Sequence, residues 1–239
     1  MRSSSVKNMG ESLLKQKISA SQKPSNFPPL IPFFSTIYYF DRRVWNLYQM
    51  KLNIYLFRHG ETYYNKSRRF TGWKNSRLTP AGIEHSKIIA EKLREMTFEI
   101  AFKSCLSRSS DTLKSVLQYH PECKELIIDD RIIERSYGDL SGKYHKTIIN
   151  RYGRKQYDIW HRSYDTPPPG GESIKMVEKR VLLFIADLIP LMRRKRVNVA
   201  ISAHGNSMRP IRRYFEDLSI EQMMKLEIPF DEYFEYIVT

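Results

Sequence analysis

The stretch LNIYLFRHGE, residues 52–61, decides the fold. Its apolar first part, residues 52–57, is typical of a buried β-strand, and the polar residues that begin at Arg58 mark the end of that strand. A second stretch, VNVAISAHGN at residues 197–206, repeats the arrangement, because a buried strand pattern over 197–202 is followed by His204 and a glycine. Ligands of open α/β sheets bind outside the carboxyl ends of the strands. His59 and His204 are therefore predicted to lie at the ligand-binding edge of a sheet.

The chain from residue 51 onward alternates strand and helix patterns. Strands are predicted over 52–57, 99–104, 126–128, 197–202 and 233–238, and helices over 108–117 and 173–192. Another helix is predicted to begin at Thr79-Pro80, because threonine is a good N-cap and proline is tolerated at the first helical position. The predicted buried face of that helix, with residues three or four apart, is Ile83, Ser86, Ala90 and Leu93. This alternation predicts an α/β fold whose mainly parallel sheet is covered by helices on both faces.

The amino-acid composition excludes several classes of protein. Of the 239 residues, 41% are hydrophobic, which is enough for one sizeable core. The sequence has no run of about 20 apolar residues that could span a bilayer. The two cysteines, Cys105 and Cys123, lack the CxxC spacing of a zinc finger and are too few for a disulfide scaffold. The net charge of +14 indicates an anionic partner. Charge alone leaves nucleic acid, a membrane surface and phosphorylated metabolites open, but the sequence has no nucleic-acid-binding signature.

Residues 1–50 differ in composition from the rest of the chain. They hold seven basic and two acidic residues, and the segment 27–40 contains three prolines that forbid a regular helix at its start. We interpret 1–50 as a weakly structured or dispensable extension before a domain at 51–239, because Met50 directly precedes the first strand pattern. A targeting segment and a packed accessory segment are the alternatives.

Further motifs follow in a fixed order along residues 51–239. They are RHGET at 58–62, RFTGW at 69–73, LTPAG at 78–82, SCLSR at 104–108, ERSYG at 134–138, WHRS at 160–163 and AHGNSMR at 203–209. This series resembles the histidine phosphatase superfamily and, within it, the cofactor-dependent phosphoglycerate mutases. The resemblance implies a three-layer α/β/α sandwich. It also implies a cytoplasmic enzyme of glycolysis and gluconeogenesis that interconverts 3- and 2-phosphoglycerate.

The same resemblance implies the chemistry. A histidine would carry the phosphoryl group as a phosphohistidine primed by 2,3-bisphosphoglycerate, and no metal would take part. The expected partner is a small anionic phosphorylated substrate, with neither nucleic acid nor a membrane involved. A homodimer or a homotetramer is the implied assembly.

Five residues form the predicted catalytic set. We assign His59 as the nucleophile, because neutral imidazole accepts a phosphoryl group and releases it readily. Arg58, Arg108 and His204 would form the phosphate pocket, since arginine offers paired donors to phosphate oxygens. Glu134 is the expected general acid and base, which protonates the leaving oxygen and later takes a proton from the incoming hydroxyl.

The other predicted site residues bind substrate. By resemblance they are Asn65, Thr71, Gly72, Tyr137, Arg162, Gly205 and Asn206. Two of the assigned residues have structural alternatives. Asn206 could cap the helix that follows it, and Glu134 could be held in an ion pair with Arg131 or Arg135.

The chain departs from the mutase pattern at two cations. Where the family has a lysine and the first of two arginines, this chain has His145 and His161. Lys146 lies one position late, and one position turns a helical side chain by about 100°. These three residues are candidate substrate contacts. The chain also ends at Thr239, directly after the last predicted strand, whereas many mutases carry a further tail over the site.

Those departures keep other functions open. A weaker cationic clamp and access of water to phosphohistidine favour a phosphomonoesterase of the same superfamily, which hydrolyses small phosphorylated metabolites. A binding module without catalysis and a nucleic-acid-binding protein are the remaining alternatives.

Overall fold

The computed structural model describes residues 51–239, so the interpretation of residues 1–50 as an extension lies outside the described residues. The described strands are β1 (Leu52–Arg58), β2 (Ile100–Lys103), β3 (Glu125–Ile128), β4 (Val199–Ala203) and β5 (Tyr233–Val238). The α-helices are α1 (Tyr63–Lys66), α2 (Pro80–Leu93), α3 (Ser107–Leu117), α4 (His145–Arg162), α5 (Ile174–Lys195), α6 (Gly205–Glu216) and α7 (Ile220–Lys225). Short 3₁₀ helices occupy Asp130–Ile132 and Gly138–Leu140.

The strands form one mainly parallel sheet with the order β3-β2-β4-β1-β5. The first four strands of this order pair in parallel, and β5 runs antiparallel to β1. In the β1–β4 register Arg58 lies opposite Ala203, and the next residue of each strand leaves the sheet at the same edge. The backbone N–H of His59 donates to the Ala203 carbonyl oxygen at 3.2 Å. The two histidines that follow these strands therefore emerge side by side.

Helices cover both faces of the sheet. The alternation along β1 sends Leu56 to one face and Phe57 to the other. Leu56 belongs to a core that includes Val181 of α5 and Met208 of α6, whereas Phe57 packs in a second core with residues of α2 and α3. Because each face of the sheet has its own buried layer, the predicted three-layer α/β/α fold is confirmed.

Most predicted elements are present with small shifts at their ends. The strands predicted over 99–104 and 197–202 are Ile100–Lys103 and Val199–Ala203. The helix predicted over 173–192 runs from Ile174 to Lys195 behind the N-cap Ser173. The strand predicted over 233–238 has those bounds.

The predicted buried face of α2 is wrong at one position. Ile83 is 48% exposed, whereas Ile89, which the pattern does not select, is fully buried. The reason lies at Gly82. A Cβ atom on Gly60 would lie 2.1 Å from the Gly82 carbonyl oxygen, so the start of α2 is pressed against the loop after β1. With Gly82 facing inward, the side chain of Ile83 is rotated by about 100° toward solvent.

Helix α4 is not predicted from the sequence, because Ile148 and Tyr157 are its only buried residues. Gly153, with φ of 83°, also interrupts its helical geometry. The break at Gly153 divides this mostly polar segment into two short pieces, so no apolar pattern long enough to predict one helix runs through it. Across residues 51–239, each helix is too short or too polar to cross a membrane.

Candidate active site

His59 follows β1 directly and is 1% exposed. Its Nδ1 lies 2.7 Å from the carbonyl oxygen of Gly60. A carbonyl oxygen can only accept a hydrogen bond, so Nδ1 carries the proton and Nε2 keeps its lone pair. The Nε–H of Arg108 donates to that Nε2 at 3.2 Å. The imidazole is thus held as a neutral ring whose nucleophilic nitrogen faces an arginine.

Both histidines at the sheet edge are uncharged at neutral pH. Burial lowers the pKa of His59 well below its ordinary value, and the charges of Arg108 and Arg58 lower it further. The hydrogen bond to Gly60 acts in the opposite direction but does not compensate. Burial likewise lowers the pKa of His204 well below its ordinary value, with Arg108 and His59 adding to the effect.

Arg108, in the first turn of α3, is fully buried and firmly held. Besides its contact with His59, it donates to the carbonyl oxygens of Gly72 at 2.8 Å and Lys74 at 3.0 Å. Burial lowers its pKa to about 10, which leaves the guanidinium charged at neutral pH. Arg108 therefore places a fixed positive charge beside the nucleophilic nitrogen.

Arg58, the last residue of β1, has fewer partners. Within the described chain its hydrogen bond runs from Nη1 to the Ile228 carbonyl oxygen at 2.6 Å, and its buried Nε has no partner. The guanidinium carbon lies 3.8 Å from the centroid of the Phe230 ring. Burial lowers the pKa of Arg58 to about 10, so this second cation is also charged at neutral pH. Its unused N–H groups can bind a ligand.

His204 follows β4, and its ring centroid lies 5.0 Å from that of His59. Its Nε2 lies 2.7 Å from the Ser104 hydroxyl oxygen, whereas its Nδ1 is buried without a partner. Ser104, which follows β2, also accepts from the backbone N–H of Leu106 at 3.2 Å. The ends of three strands thus meet at one point, because β1, β4 and β2 are neighbours in the sheet.

Glu134 lies close to both imidazoles. One of its carboxylate oxygens and one nitrogen of each of His59 and His204 all lie within 4.8 Å of one another. Its Oε1 accepts from the backbone N–H of Arg135 at 2.8 Å. The predicted alternative of an ion pair is wrong, because the Arg135 side chain donates to backbone carbonyls and Arg131 binds Asp129.

A cavity of about 210 Å³ adjoins this cluster. Arg58 and Glu134 form part of its wall, and the buried His59 and His204 lie directly beside Glu134. The wall also contains all the predicted substrate-binding residues, Asn65, Thr71, Gly72, Tyr137, Arg162, Gly205 and Asn206. Ligand pockets for larger molecules span about 300–1,000 Å³, so the size suits a small metabolite.

Two amide side chains in the wall are oriented by their neighbours. The Asn65 Oδ1 accepts from the backbone N–H of Thr62 at 3.0 Å and from its hydroxyl at 2.8 Å, which leaves the Asn65 amide nitrogen for a ligand. The Asn206 amide nitrogen donates to the Tyr137 hydroxyl at 3.3 Å. The alternative of Asn206 as a helix cap is wrong, because His204 holds the N-cap position of α6.

Of the three further candidates for substrate contacts, two lie in the cavity wall and one does not. His145 and His161 line the cavity, with ring centroids 5.2 Å apart, whereas Lys146 is exposed and lies outside the wall. Burial and the charge of Arg162 lower the pKa of His161 to about 3. Burial and the charge of Arg68 lower the pKa of His145. At neutral pH both imidazoles are therefore uncharged.

Other cavity residues are not predicted as site residues. They are Arg69, Phe70, Arg209 and Ile228. Arg209 is held by the carbonyl oxygens of Met223 and Met224, each at 3.0 Å from its Nη1. The sequence does carry a signal for Arg209, because it lies four positions after Gly205 and so on the same face of α6. The two unpredicted arginines supply positive charge where His145 and His161 supply none.

Two imidazoles and one carboxylate within 4.8 Å also have the composition of a metal site. The surrounding charge favours an anion instead. Arg58 and Arg108 are charged beside the cluster, and three more arginines line the cavity. These guanidiniums repel a divalent cation and bind phosphate oxygens. The donor set therefore fits phosphate.

A neutral imidazole beside fixed arginines and a carboxyl group is an arrangement suited to phosphoryl transfer. Sequence comparison agrees: residues 54–233 match the histidine phosphatase superfamily, branch 1. A 2,3-bisphosphoglycerate-dependent phosphoglycerate mutase of Parvibaculum lavamentivorans is 40% identical over 177 residues, which cover 72% of this chain and 84% of that protein. The chain belongs to the histidine phosphatase superfamily and, within it, to the phosphoglycerate mutase family.

A second relative supports this placement, and a solved structure supports the fold. A phosphoglycerate mutase of Schizosaccharomyces pombe is 40% identical over 176 residues, which cover 72% of this chain and 83% of that protein. Among solved structures, YhfR of Bacillus stearothermophilus superposes with a TM-score of 0.69 at 24% identity and covers 77% of this chain and 90% of that one. At that identity, the structural similarity establishes the fold alone.

Proposed function

We propose that this enzyme interconverts 3-phosphoglycerate and 2-phosphoglycerate in glycolysis, through a phosphohistidine at Nε2 of His59. The observation that carries the proposal is the fixed tautomer of His59. Its Nδ1 is bound to the Gly60 carbonyl, so the lone pair is on Nε2, beside Arg108. The names of the relatives supply the substrate, because they are phosphoglycerate mutases.

The transfer moves one phosphoryl group between an oxygen and a nitrogen. The Nε2 lone pair forms the N–P bond as the P–O bond to the substrate breaks. Arg108 and the free N–H groups of Arg58 neutralise the charge on the nonbridging oxygens. In the return step a substrate hydroxyl attacks phosphorus, and the N–P bond breaks to give back the neutral ring.

In this mechanism Glu134 transfers the protons, and His204 stabilises the charge that develops on the phosphoryl group. Glu134 protonates the leaving oxygen and later takes the proton of the attacking hydroxyl, a role that its place between both imidazoles and the cavity wall supports. Ser104 donates its hydroxyl proton to Nε2 of His204, which leaves Nδ1–H as a donor toward the phosphoryl oxygens. His204 thereby stabilises developing charge while remaining neutral.

The cavity wall suits a three-carbon acid with one or two phosphates. Arg69, Arg162 and Arg209 would bind the carboxylate and the second phosphate, together with the amide of Asn65 and the hydroxyl of Thr71. When bound, 2,3-bisphosphoglycerate supplies the phosphoryl group that primes His59. The protein itself holds these anionic groups and excludes water while Nε2 of His59 accepts the phosphoryl group.

Isotope transfer tests the proposal directly. The full chain is incubated with 2,3-bisphosphoglycerate labelled with ³²P, and the labelled protein is isolated and mixed with unlabelled 3-phosphoglycerate. We expect label on His59, stable to base and labile to acid, which then appears in monophosphoglycerate. His59→Ala should take up no label and lose at least about three orders of magnitude in kcat, because no nucleophile remains.

Two outcomes would contradict this function. Label that passes from the protein to water faster than to monophosphoglycerate would assign a phosphomonoesterase. Label that never reaches His59, in a protein that still forms 2-phosphoglycerate, would remove the phosphohistidine from the mechanism. Lys146→Ala is the control substitution, because that side chain is exposed and lies outside the cavity wall.

A further inference from the structure

The loop between α7 and β5, residues 226–232, contacts Arg58 in two ways. The Ile228 carbonyl oxygen accepts from Nη1 of Arg58 at 2.6 Å. The guanidinium carbon also lies 3.8 Å from the centroid of the Phe230 ring. A guanidinium within about 6 Å of an aromatic centroid is attracted by the ring quadrupole, and the attraction grows when the pair is away from water. The loop therefore provides both a hydrogen bond and a ring face.

Arg58 depends on this loop more than Arg108 depends on any one contact. Arg108 donates to His59 and to the carbonyls of Gly72 and Lys74, so three bonds fix its plane. Arg58 has one hydrogen bond within the described chain, and a single bond leaves a guanidinium free to rotate about it. The ring face of Phe230 restricts this rotation, together with the close approach of Gly205 to the guanidinium. Once the plane is fixed, the unpartnered Nε of Arg58 has a defined direction.

The Phe230 ring is itself held in place. It lies 5.5 Å from the ring of His85 on α2, with only 5° between the planes, and 6.2 Å from the ring of His59. Stacking on His85 therefore holds Phe230 through α2, a helix that lies far from it in the sequence. Phe230 is absent from the cavity wall, so it acts on a ligand through Arg58 rather than by contact.

We propose that Phe230 is a positioning residue, whose ring face holds the Arg58 guanidinium in the orientation that binds the transferring phosphoryl group. The inference rests on the proposed function, since it assigns the anion at Arg58 to that reaction. It adds a residue from the last loop of the domain, outside the two histidine motifs, to the groups on which phosphoryl transfer depends.

Substitution of Phe230 separates a ring-face contact from simple packing. Phe230→Leu keeps apolar bulk and loses the ring, and we expect kcat/KM to fall about tenfold, as the loss of a desolvated cation–π contact predicts. Phe230→Trp keeps a ring face and should stay within about threefold of the wild type. The dissociation constant for orthovanadate, measured by calorimetry as a mimic of the transferring group, should weaken by a similar factor in Phe230→Leu.

A double-mutant cycle decides whether Phe230 acts through Arg58. In the Arg58→Ala background, Phe230→Leu should have no further effect on kcat/KM or on vanadate affinity, because the guanidinium that the ring holds is gone. Losses that add in the double variant would overturn the proposal. So would a Phe230→Leu enzyme with wild-type vanadate affinity.

The matched control is Phe234→Leu on β5. Arg212 lies over the Phe234 ring at 4.0 Å, so this substitution removes a cation–π contact of similar length away from the histidines. It should leave vanadate affinity unchanged. If Phe230→Leu does not fold, Phe230→Met replaces it in the cycle, and equal vanadate affinity in Met, Trp and wild-type proteins overturns the inference.

Vanadate binding keeps this inference distinguishable from the proposed function, because it needs no turnover. A protein that binds vanadate in a Phe230-dependent way but forms no phosphoglycerate isomer would refute the function and support the inference. A protein that isomerises 3-phosphoglycerate normally with Leu at position 230 would refute the inference alone.

Discussion

At the scale of single residues, the hydroxyl of Ser104 pairs with one nitrogen of His204 and leaves the other nitrogen for a ligand. It occupies Nε2 at 2.7 Å and leaves the buried Nδ1 without a partner. A neutral imidazole can donate from one nitrogen only. Ser104 is not in the cavity wall, so in the proposed mechanism it acts through His204.

We expect Ser104→Ala to lower kcat by about 10- to 100-fold with little change in KM. Without the hydroxyl, the His204 proton is no longer confined to Nδ1, and a donor aimed at developing charge is weakened. Steady-state kinetics give the split, and ¹⁵N NMR of the imidazole reports the tautomer. Ser173→Ala is the control, because that buried hydroxyl accepts from the backbone N–H of Met176 at the start of α5 instead. An unchanged tautomer in Ser104→Ala would contradict this role.

The sequence predicts the reacting residues better than the residues that orient them. His59 and His204 can be recognised because each follows an apolar strand, and chain order alone carries that information. Phe230 reaches Arg58 from the loop before β5, so its proximity depends on packing that no local pattern encodes. His145 and His161 show the reverse case, because they lie where predicted but are neutral.

At the scale of elements, the loop after β1 and the start of α2 touch through backbone atoms. A Cβ on Gly60 would lie 2.1 Å from the Gly82 carbonyl oxygen, and a Cβ on Gly82 would lie 2.0 Å from the Glu61 carbonyl oxygen. The two glycines let α2 pack closely against the residue that directly follows His59. The orientation of the nucleophile thus depends on a helix that contributes no catalytic group.

Gly60→Ala should reduce the free energy of unfolding by about 2–4 kcal/mol and also reduce kcat, because rigid backbone must move to admit the methyl group. Gly153→Ala in α4 is the matched control. A Cβ there meets no atom within 4 Å, but φ of 83° with ψ of 160° is essentially restricted to glycine, so about 1–3 kcal/mol is expected from backbone strain, with no loss of vanadate affinity. Urea denaturation and vanadate affinity measure the two effects. Equal losses in both variants would show that the close approach has no consequence.

Strands are predicted more reliably than helices in this chain, for a physical reason. The inner strands are buried on both faces and form continuous apolar runs, as β4 does with all five residues buried. Helix α4 buries only two of its eighteen residues, and three of its residues line the cavity. Few of its positions pack in the core, so its apolar pattern is hard to recognise. The face of α2 is misplaced because glycine, which has no side chain, occupies its tightest contact.

At the scale of the whole molecule, histidines that are neutral in the folded state couple folding to pH. Burial lowers the pKa of His59, His204 and His161 below their ordinary value of about 6.5, so the unfolded chain binds more protons than the folded chain under acidic conditions. Above pH 6.5 these histidines contribute their full amount to the free energy of unfolding. That contribution is lost as the pH falls toward the pKa of each histidine in the folded state, and for His161 this pKa is about 3.

We expect the free energy of unfolding in phosphate-free buffer to fall steeply below pH 6.5. Each such histidine contributes a slope of up to about 1.4 kcal/mol per pH unit. His161→Gln should make the curve shallower by up to that amount, because it removes one group that protonates on unfolding. Urea denaturation between pH 4.5 and 7.5 measures both slopes. A slope that His161→Gln leaves unchanged would contradict the neutral state of this residue.

The pairing of β1 with β4 has a consequence for how the enzyme is made. The residues that must meet lie near the two ends of the described domain, and β4 can join the sheet only after nearly the whole chain has been synthesised. A nascent or truncated polypeptide that lacks β4 also lacks His204 and has no complete phosphate pocket. Catalytic competence therefore arrives late, and recovery of turnover during renaturation reports the formation of a long-range strand pairing rather than early collapse.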